Sequence, residues 1–191
     1  EANPGEVAAI FIEPVTGNMG VIRPADGFLQ GLRALCDEHG ALLVFDEVMT
    51  GFRVNLCGAS TLYDVKPDLT TLGKVIGGGF PVGVYGGRAD LMEMVAPEGP
   101  VYQAGTLAGH PVAMTAGNAT LRALARPGVF ARIDEAAARL AAGIEDGCHA
   151  AGVRATVVRV GTMLNLWFAD RSPHNLGEAK ATDVERFRRY H

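Results

Sequence analysis

The chain of 191 residues is poor in cysteine, in charge and in long apolar runs. Its three cysteines, Cys36, Cys57 and Cys148, lie far apart and in no CxxC or Cys/His spacing. That excludes a disulfide framework and a cysteine-built metal cluster, and it makes a reducing compartment the default. Charged residues are 20% of the chain, with 17 bases against 21 acids and a formal net charge of −4. The one basic cluster is Arg186, Arg188 and Arg189. A nucleic-acid footprint is more basic and more concentrated, so no nucleic-acid partner is expected. Apolar runs such as Ala41 to Phe45 are far shorter than the roughly 20 residues of a membrane helix, so no membrane partner is expected either. The five histidines, His39, His110, His149, His174 and His191, share no ligand spacing, and no metal site is expected. The first residue is Glu1 rather than Met, and His191 follows what reads as the start of a helix. The chain therefore reads as an internal piece of a longer protein, with any targeting signal outside it.

What is present suits an α/β fold. Hydrophobic residues make up 48%, enough for a good-sized core. Val7 to Ile12 reads as a strand buried on both faces, closed by Glu13-Pro14. Asp26 is placed to cap a helix with apolar positions Phe28, Leu32, Leu35 and Cys36, and Gly40 stops it. Ala41 to Val48 is a second buried strand, so strand, helix and strand make a βαβ unit with parallel pairing. Short strands follow at Leu69 to Leu72 and Val84 to Gly86, and helical segments at Ala89 to Val95, Pro111 to Leu124 and Ala131 to Ala150. The last of these carries the stripe Ile133, Ala137, Leu140, Ile144 and Cys148. Strands at Ala155 to Val160 and Met163 to Phe168 indicate an α+β unit that begins near residue 128. The expected domains are 1–127 and 128–191.

Two residues stand out chemically. Asp46 sits near the carboxyl end of a buried strand, where ligands bind in open α/β sheets, although a lone acid there also serves to cap a turn. Val48, two positions on, points the same way if the strand continues. Lys74 lies inside the apolar stretch Leu72-Gly73-Lys74-Val75-Ile76. That setting suits nucleophilic and Schiff-base chemistry, but a lysine snorkelling from a strand edge fits it as well. The glycine-rich segment Gly77 to Gly83 matches neither a P-loop nor G-x-G-x-x-G, and it reads as close backbone approach. Thr106 offers a hydroxyl and an amide to an anion, a weak signal alone.

Taken together, VFDEVMTGFR (44 to 53) and PDLTTLGKVIGGG (67 to 79) resemble the class-III, fold-type-I pyridoxal-phosphate aminotransferases, with Asp46 and Lys74 at that family's signature spacing. IEPVTGNMG, YQAGTLAGHPVAMTAG and the tail SPHNLGEAKATDVERFRRYH look closest to its aminomutase branch. The resemblance implies part of the large cofactor domain with a mixed, mostly parallel sheet, followed by the start of a small α+β domain. It implies pyridoxal 5'-phosphate or pyridoxamine 5'-phosphate as cofactor and an internal amino transfer on a small-molecule substrate. Lys74 matches the Schiff-base lysine, Asp46 the partner of the pyridine nitrogen, and Val48 a contact to one ring face. Asn18 matches a residue at the ring's hydroxyl edge. Thr106 matches a phosphate ligand that reaches across a homodimer with shared sites. A bacterial cytoplasm is preferred over a plastid stroma. The chain departs from the family at His110, where Asn is usual, and at Cys57, where Gly is usual. It also lacks the family's N-terminal part, which carries a second phosphate loop and a ring-stacking aromatic. An ω-aminotransferase working between two molecules, or a non-catalytic remnant of the fold, stays open.

Overall fold

Ala9–Ile12 (β1), Leu42–Asp46 (β2) and Leu69–Gly73 (β3) lie side by side and parallel, and Gly83–Gly87 (β4) closes the edge antiparallel to β3. This sheet is seen in a computed structural model that describes residue 3 and residues 5–190. Glu1 and His191, the ends noted above, lie outside the described residues. The helix Phe28–His39 (α1) links β1 to β2, which makes the expected βαβ unit. The sheet is mixed and mostly parallel, in the order β1-β2-β3-β4.

One face of the sheet packs on α1. Leu29 and Cys36 of the helix meet Leu43 and Phe45 of β2, with Ile10 and Ile12 of β1 half-buried beside them. Burying side chains of this size contributes about 1.5–3 kcal/mol each before the entropy of ordering them. The opposite face is open at β1, where Phe11 is 61% exposed. The expectation of a strand buried on both sides is therefore corrected: β1 is an edge strand that pairs only with β2 and alternates in burial. The start of α1 differs too. Gly27, in a left-handed conformation, is the N-cap, and no side chain caps the helix, so Asp26 does not. Phe28 and Leu35 face outward while Leu29 takes the core position, a one-residue rotation of the expected stripe. Gly40 ends α1 as expected, with its N–H donated to the Cys36 carbonyl.

Beyond β2, the helix Gly58–Tyr63 (α2) was not expected from the sequence. Lys74–Gly77 forms a 3-10 turn after β3, and Ala89–Met92 (α3) follows β4. Pro111–Leu124 (α4) lies where expected, with proline at its first position. It crosses the 3-10 turn so closely that a Cβ on Gly117 would lie 2.2 Å from the Ile76 carbonyl oxygen. Val129–Ala150 (α5) follows. Its buried positions are Ala137 and Ala141, whereas Ile133 and Leu140 are exposed, so the expected stripe holds only in part.

Thr156–Val160 (β5) and Met163–Trp167 (β6) pair antiparallel as a separate two-stranded sheet, followed by Leu176–Lys180 (α6) and Val184–Tyr190 (α7). Val158, Val160, Met163 and Trp167 share a core with Val15, Val21, Ile22, Val54 and Ala59. The loop after β1 is thus packed against the second sheet.

The base of the main sheet is tied by Asp68, which is buried. Its Oδ2 accepts from the Leu43 N–H at 2.8 Å and from Arg33 at 2.7 Å, and its Oδ1 accepts from Arg88 at 2.9 Å. Burial alone raises the acid's pKa. The Leu43 N–H and the two guanidinium groups outweigh it and hold the carboxyl at about 2, below its ordinary 3.8. A depressed folded pKa adds stability that is present above the unfolded value and is lost as pH falls toward 2. Asp68→Asn is expected to cost about 2–3 kcal/mol at neutral pH and to flatten the acid limb of the stability curve between about pH 4 and pH 2. Denaturant midpoints measured across that range check both the size and the sign.

Candidate active site

The parallel strands deliver their carboxyl ends to one edge of the sheet, the usual ligand edge of an α/β fold. Asp46 is the last residue of β2 and stands opposite Thr71 of β3. Residues paired in this way share a sheet face, and the Thr71 hydroxyl donates to Asp46 Oδ1 at 3.4 Å. The same oxygen accepts from the Val48 N–H at 3.0 Å. Asp46 therefore does cap the turn that follows it, while its other oxygen receives no hydrogen bond from the described residues.

Val48 lies in that turn rather than on the strand, because β2 ends at Asp46. It reaches the site by another route than expected. A Cβ on Gly73 would sit 3.3 Å from Val48 Cγ1, so the valine lies over the end of β3. The next residue is Lys74, whose φ of 48° is left-handed and uncommon for a residue with a side chain. Such strain persists only where surrounding structure imposes it, and it gathers at functional sites. Lys74 as a whole is exposed.

Asn18 lies in the loop after β1. Glu13 accepts from the Gly17 N–H at 2.7 Å and the Asn18 N–H at 3.3 Å, which folds that loop back on the strand end. A Cβ on Gly17 would come within 2.9 Å of Met49, so the loop touches the turn that carries Val48. Asn18, Asp46, Val48 and Lys74 are in this way brought to neighbouring strand ends. Thr106 is not brought among them. The segment 101–110 is exposed throughout, and among the described residues no hydrogen bond joins Thr106 to any of the four.

Three supports were not singled out from the sequence. Glu47, 3% exposed, points away from Asp46 and accepts from the Ala59 N–H at 2.6 Å, the Ser60 N–H at 3.4 Å and the Thr50 hydroxyl at 3.1 Å. A Cβ on Gly58, at φ 81°, would strike that carboxylate at 2.6 Å. Arg53 donates to the Met49 carbonyl at 2.8 Å, and burial lowers its pKa. Thr71 is the third. Of these only Glu47 left a trace, as the second of two adjacent acids at a strand end. Arg53 and Thr71 are ordinary residue types whose roles depend on the turn and the pairing register.

The donor set fits a pyridoxal-type cofactor. A carboxylate with one free oxygen suits a protonated ring nitrogen, a branched apolar side chain suits a ring face, and a primary amine suits a carbonyl carbon.

The aminotransferase class-III family pattern matches residues 1–188. A glutamate-1-semialdehyde 2,1-aminomutase of Roseiflexus castenholzii is 56% identical over 190 residues, which is all of this chain and 44% of that protein. The chain thus spans under half the length of the curated relatives it matches. Among solved structures, a β-phenylalanine aminotransferase from Variovorax paradoxus superposes with a TM-score of 0.87 at 37% identity, over 96% of this chain and 43% of that one. A glutamate-1-semialdehyde-aminomutase from Pseudomonas aeruginosa, solved in complex with PMP, gives 0.79 at 30% identity, over 93% and 41%. The fold is that of the fold-type-I pyridoxal-phosphate transferases. On a match along nearly its whole length, the chain belongs to the aminotransferase class-III family.

Proposed function

We propose that the chain is the catalytic part of a glutamate-1-semialdehyde 2,1-aminomutase, which moves an amino group within one molecule to give 5-aminolevulinate for tetrapyrrole synthesis. The observation that carries this reading is the 56% identity to the Roseiflexus aminomutase over 190 residues, the whole of this chain. Pyridoxal or pyridoxamine 5'-phosphate, when bound, supplies a ring that accepts electrons from the substrate carbon.

The residues divide the remaining work. Lys74 offers the amine that anchors the cofactor's carbonyl carbon and, once free, carries a proton between substrate and cofactor carbons as acid and base. Its position at the end of β3, beside Val48, supports that role. Asp46 keeps a proton on the ring nitrogen through a charge-assisted bond of about 1.5–3 kcal/mol. Val48 covers one ring face, and Asn18 binds the ring's hydroxyl edge. Thr106 binds the phosphate of the partner subunit's site in a homodimer. Its separation from the other four, and the exposure of Val101, Tyr102 and Leu107 around it, support that assignment. Residues 1–127 belong to the cofactor domain and 128–191 begin the small domain, which the division into two sheets supports. The three free thiols suit a cytoplasmic protein. No helix among the described residues is long and apolar enough to cross a membrane.

A second reading, an aminotransferase between two molecules, is favoured by the Variovorax structure, which is closer in identity and TM-score than the Pseudomonas one. The two readings part on substrate. The full-length protein is expected to convert glutamate 1-semialdehyde with no added amino acceptor, and turnover only in the presence of a keto acid would select the second reading. Borohydride reduction of the protein loaded with pyridoxal phosphate is expected to label the peptide bearing Lys74. Lys74→Ala is expected to lower kcat by more than about a thousandfold with the fold intact by circular dichroism. Asp46→Asn is expected to slow proton abstraction about a hundredfold, which single-turnover absorbance reads directly. Near-normal rates in either variant would remove that residue from its role.

A further inference from the structure

The Asp46 carboxylate is held through one oxygen only. Both of its hydrogen bonds, from the Val48 N–H at 3.0 Å and the Thr71 hydroxyl at 3.4 Å, end on Oδ1. No hydrogen bond from the described residues reaches Oδ2. The terminal torsion of an aspartate is broad and nearly two-fold, so a carboxylate with no fixed partner samples many orientations and exchanges its oxygens. Two donors on the same oxygen remove that freedom. One of them, the backbone N–H, comes with the turn. The other depends on the side chain at position 71.

Thr71 is well placed for this. It stands opposite Asp46 in the parallel ladder, so both side chains leave the same face of the sheet. It is β-branched, which limits its own rotation on a strand. Its far neighbour in β4 is Tyr85, and the antiparallel pairing there runs unbroken from Leu69 to Gly73. Behind the strand end, the Glu47 N–H donates to the Thr71 carbonyl at 2.9 Å, which fixes the height of Thr71 relative to Asp46.

We propose that Thr71 is a positioning residue that pins Asp46 Oδ1 and so presents Oδ2 as the single oxygen that meets the cofactor's ring nitrogen. The inference rests on the reading of Asp46 given above. Thr71 touches neither substrate nor cofactor and acts through the carboxylate alone. Removing its hydroxyl leaves the charge in place but lets the carboxylate turn, so the bond to the ring nitrogen lengthens or is shared between oxygens.

The test compares Thr71→Val, Thr71→Ser and Asp46→Asn in the full-length protein by two readouts other than turnover. One is the dissociation constant of pyridoxal 5'-phosphate. The other is the NMR resonance of an isotope-labelled ring nitrogen, which reports its protonation. Thr71→Val is expected to weaken binding about tenfold, the low end for a hydrogen bond to a charged group, and to move the resonance toward the unprotonated position. Thr71→Ser, which keeps the hydroxyl, is expected to restore both, and Asp46→Asn to weaken binding about a hundredfold. Wild-type values in Thr71→Val beside altered values in Asp46→Asn would overturn the role of Thr71 and leave that of Asp46 standing. Unaltered values in Asp46→Asn would overturn both. A serine variant as impaired as the valine one would also overturn the proposal, because the hydroxyl would then not be the cause. Should thermal melting show that Thr71→Val does not fold, Thr71→Ala removes the same hydroxyl with less bulk and is read by the same criteria.

Discussion

The register between β2 and β3 is the constraint on which the site depends, and Asp68 sets it. This residue enters β3 with its N–H on the Leu43 carbonyl at 2.8 Å, while its carboxylate accepts the Leu43 N–H in return. Arg33 from α1 and Arg88 from the end of β4 close on the same carboxylate. One acid thus fastens a helix and three strands at the end of the sheet away from the site. Three residues further along, the ladder places Asp46 opposite Thr71. A shift of one residue would turn Asp46 to the α1 face and bury it against Phe45's neighbours. A buried ion pair is weak evidence for stability by itself, since desolvation offsets much of its attraction. Here its clearer consequence is geometric, because the alternative registers take the Asp68 carboxylate from the Leu43 N–H, while Arg33 keeps Asp37 and Arg88 keeps Asp90 as acceptors.

At the other end of the sheet, two adjacent acids have opposite tasks. Their partners separate them: Asp46 accepts from the Val48 N–H and the Thr71 hydroxyl, and Glu47 from the start of α2. Glu47 is buried and spent on protein donors: two N–H groups at the start of α2 and the Thr50 hydroxyl. A buried carboxylate so satisfied anchors the chain, because breaking any of its bonds strands a charge or a donor. Asp46 is half-buried and keeps an oxygen free. The first acid can therefore be offered to a ligand because the second immobilises the turn beside it, with Arg53 bonded to the Met49 carbonyl on the way.

How much of this was legible in the sequence follows from range. The βαβ unit, α4, α5 and the β5–β6 hairpin come from local periodicity and punctuation, and they lie within a few residues of where they were expected. Several errors are those of a single position: Gly27 rather than Asp26 at the start of α1, Leu29 rather than Phe28 in its core, Val48 in a turn rather than on a strand; the short helix α2 was missed whole. Local patterns cannot place those, since one residue of rotation is decided by packing. Likewise Phe11 is as apolar as a core residue, and only the order of the strands reveals that it is left 61% exposed by the described residues. Asp46 and Lys74 were singled out because residue type and neighbours both mark them. Thr71, Arg53 and Asp68 were not, because their roles are defined by partners that register and tertiary folding bring near.

The backbone at Lys74 joins these levels. A side chain at φ 48° is unfavourable by about 1 kcal/mol or more, and glycine would relieve it. Gly78 and Gly79, at φ 58° and 97°, show that the segment uses glycine where it needs left-handed backbone. A lysine in the left-handed position is then held by what surrounds it. The β3–β4 ladder runs up to Gly73, and the 3-10 turn begins at Lys74 itself and is clamped by α4 through Gly117. The chain must turn sharply between those two fixed bodies, and residue 74 takes the turn. Lys74 is exposed at that turn, next to Gly73, over which Val48 lies. The role proposed for Lys74, to hold a ligand and then move a proton, is served by a fixed base and a free tip. The structure supplies both, a strained but clamped Cα and an exposed side chain. Flexibility in the backbone at this point would serve neither step, because each requires the nitrogen to return to the same place.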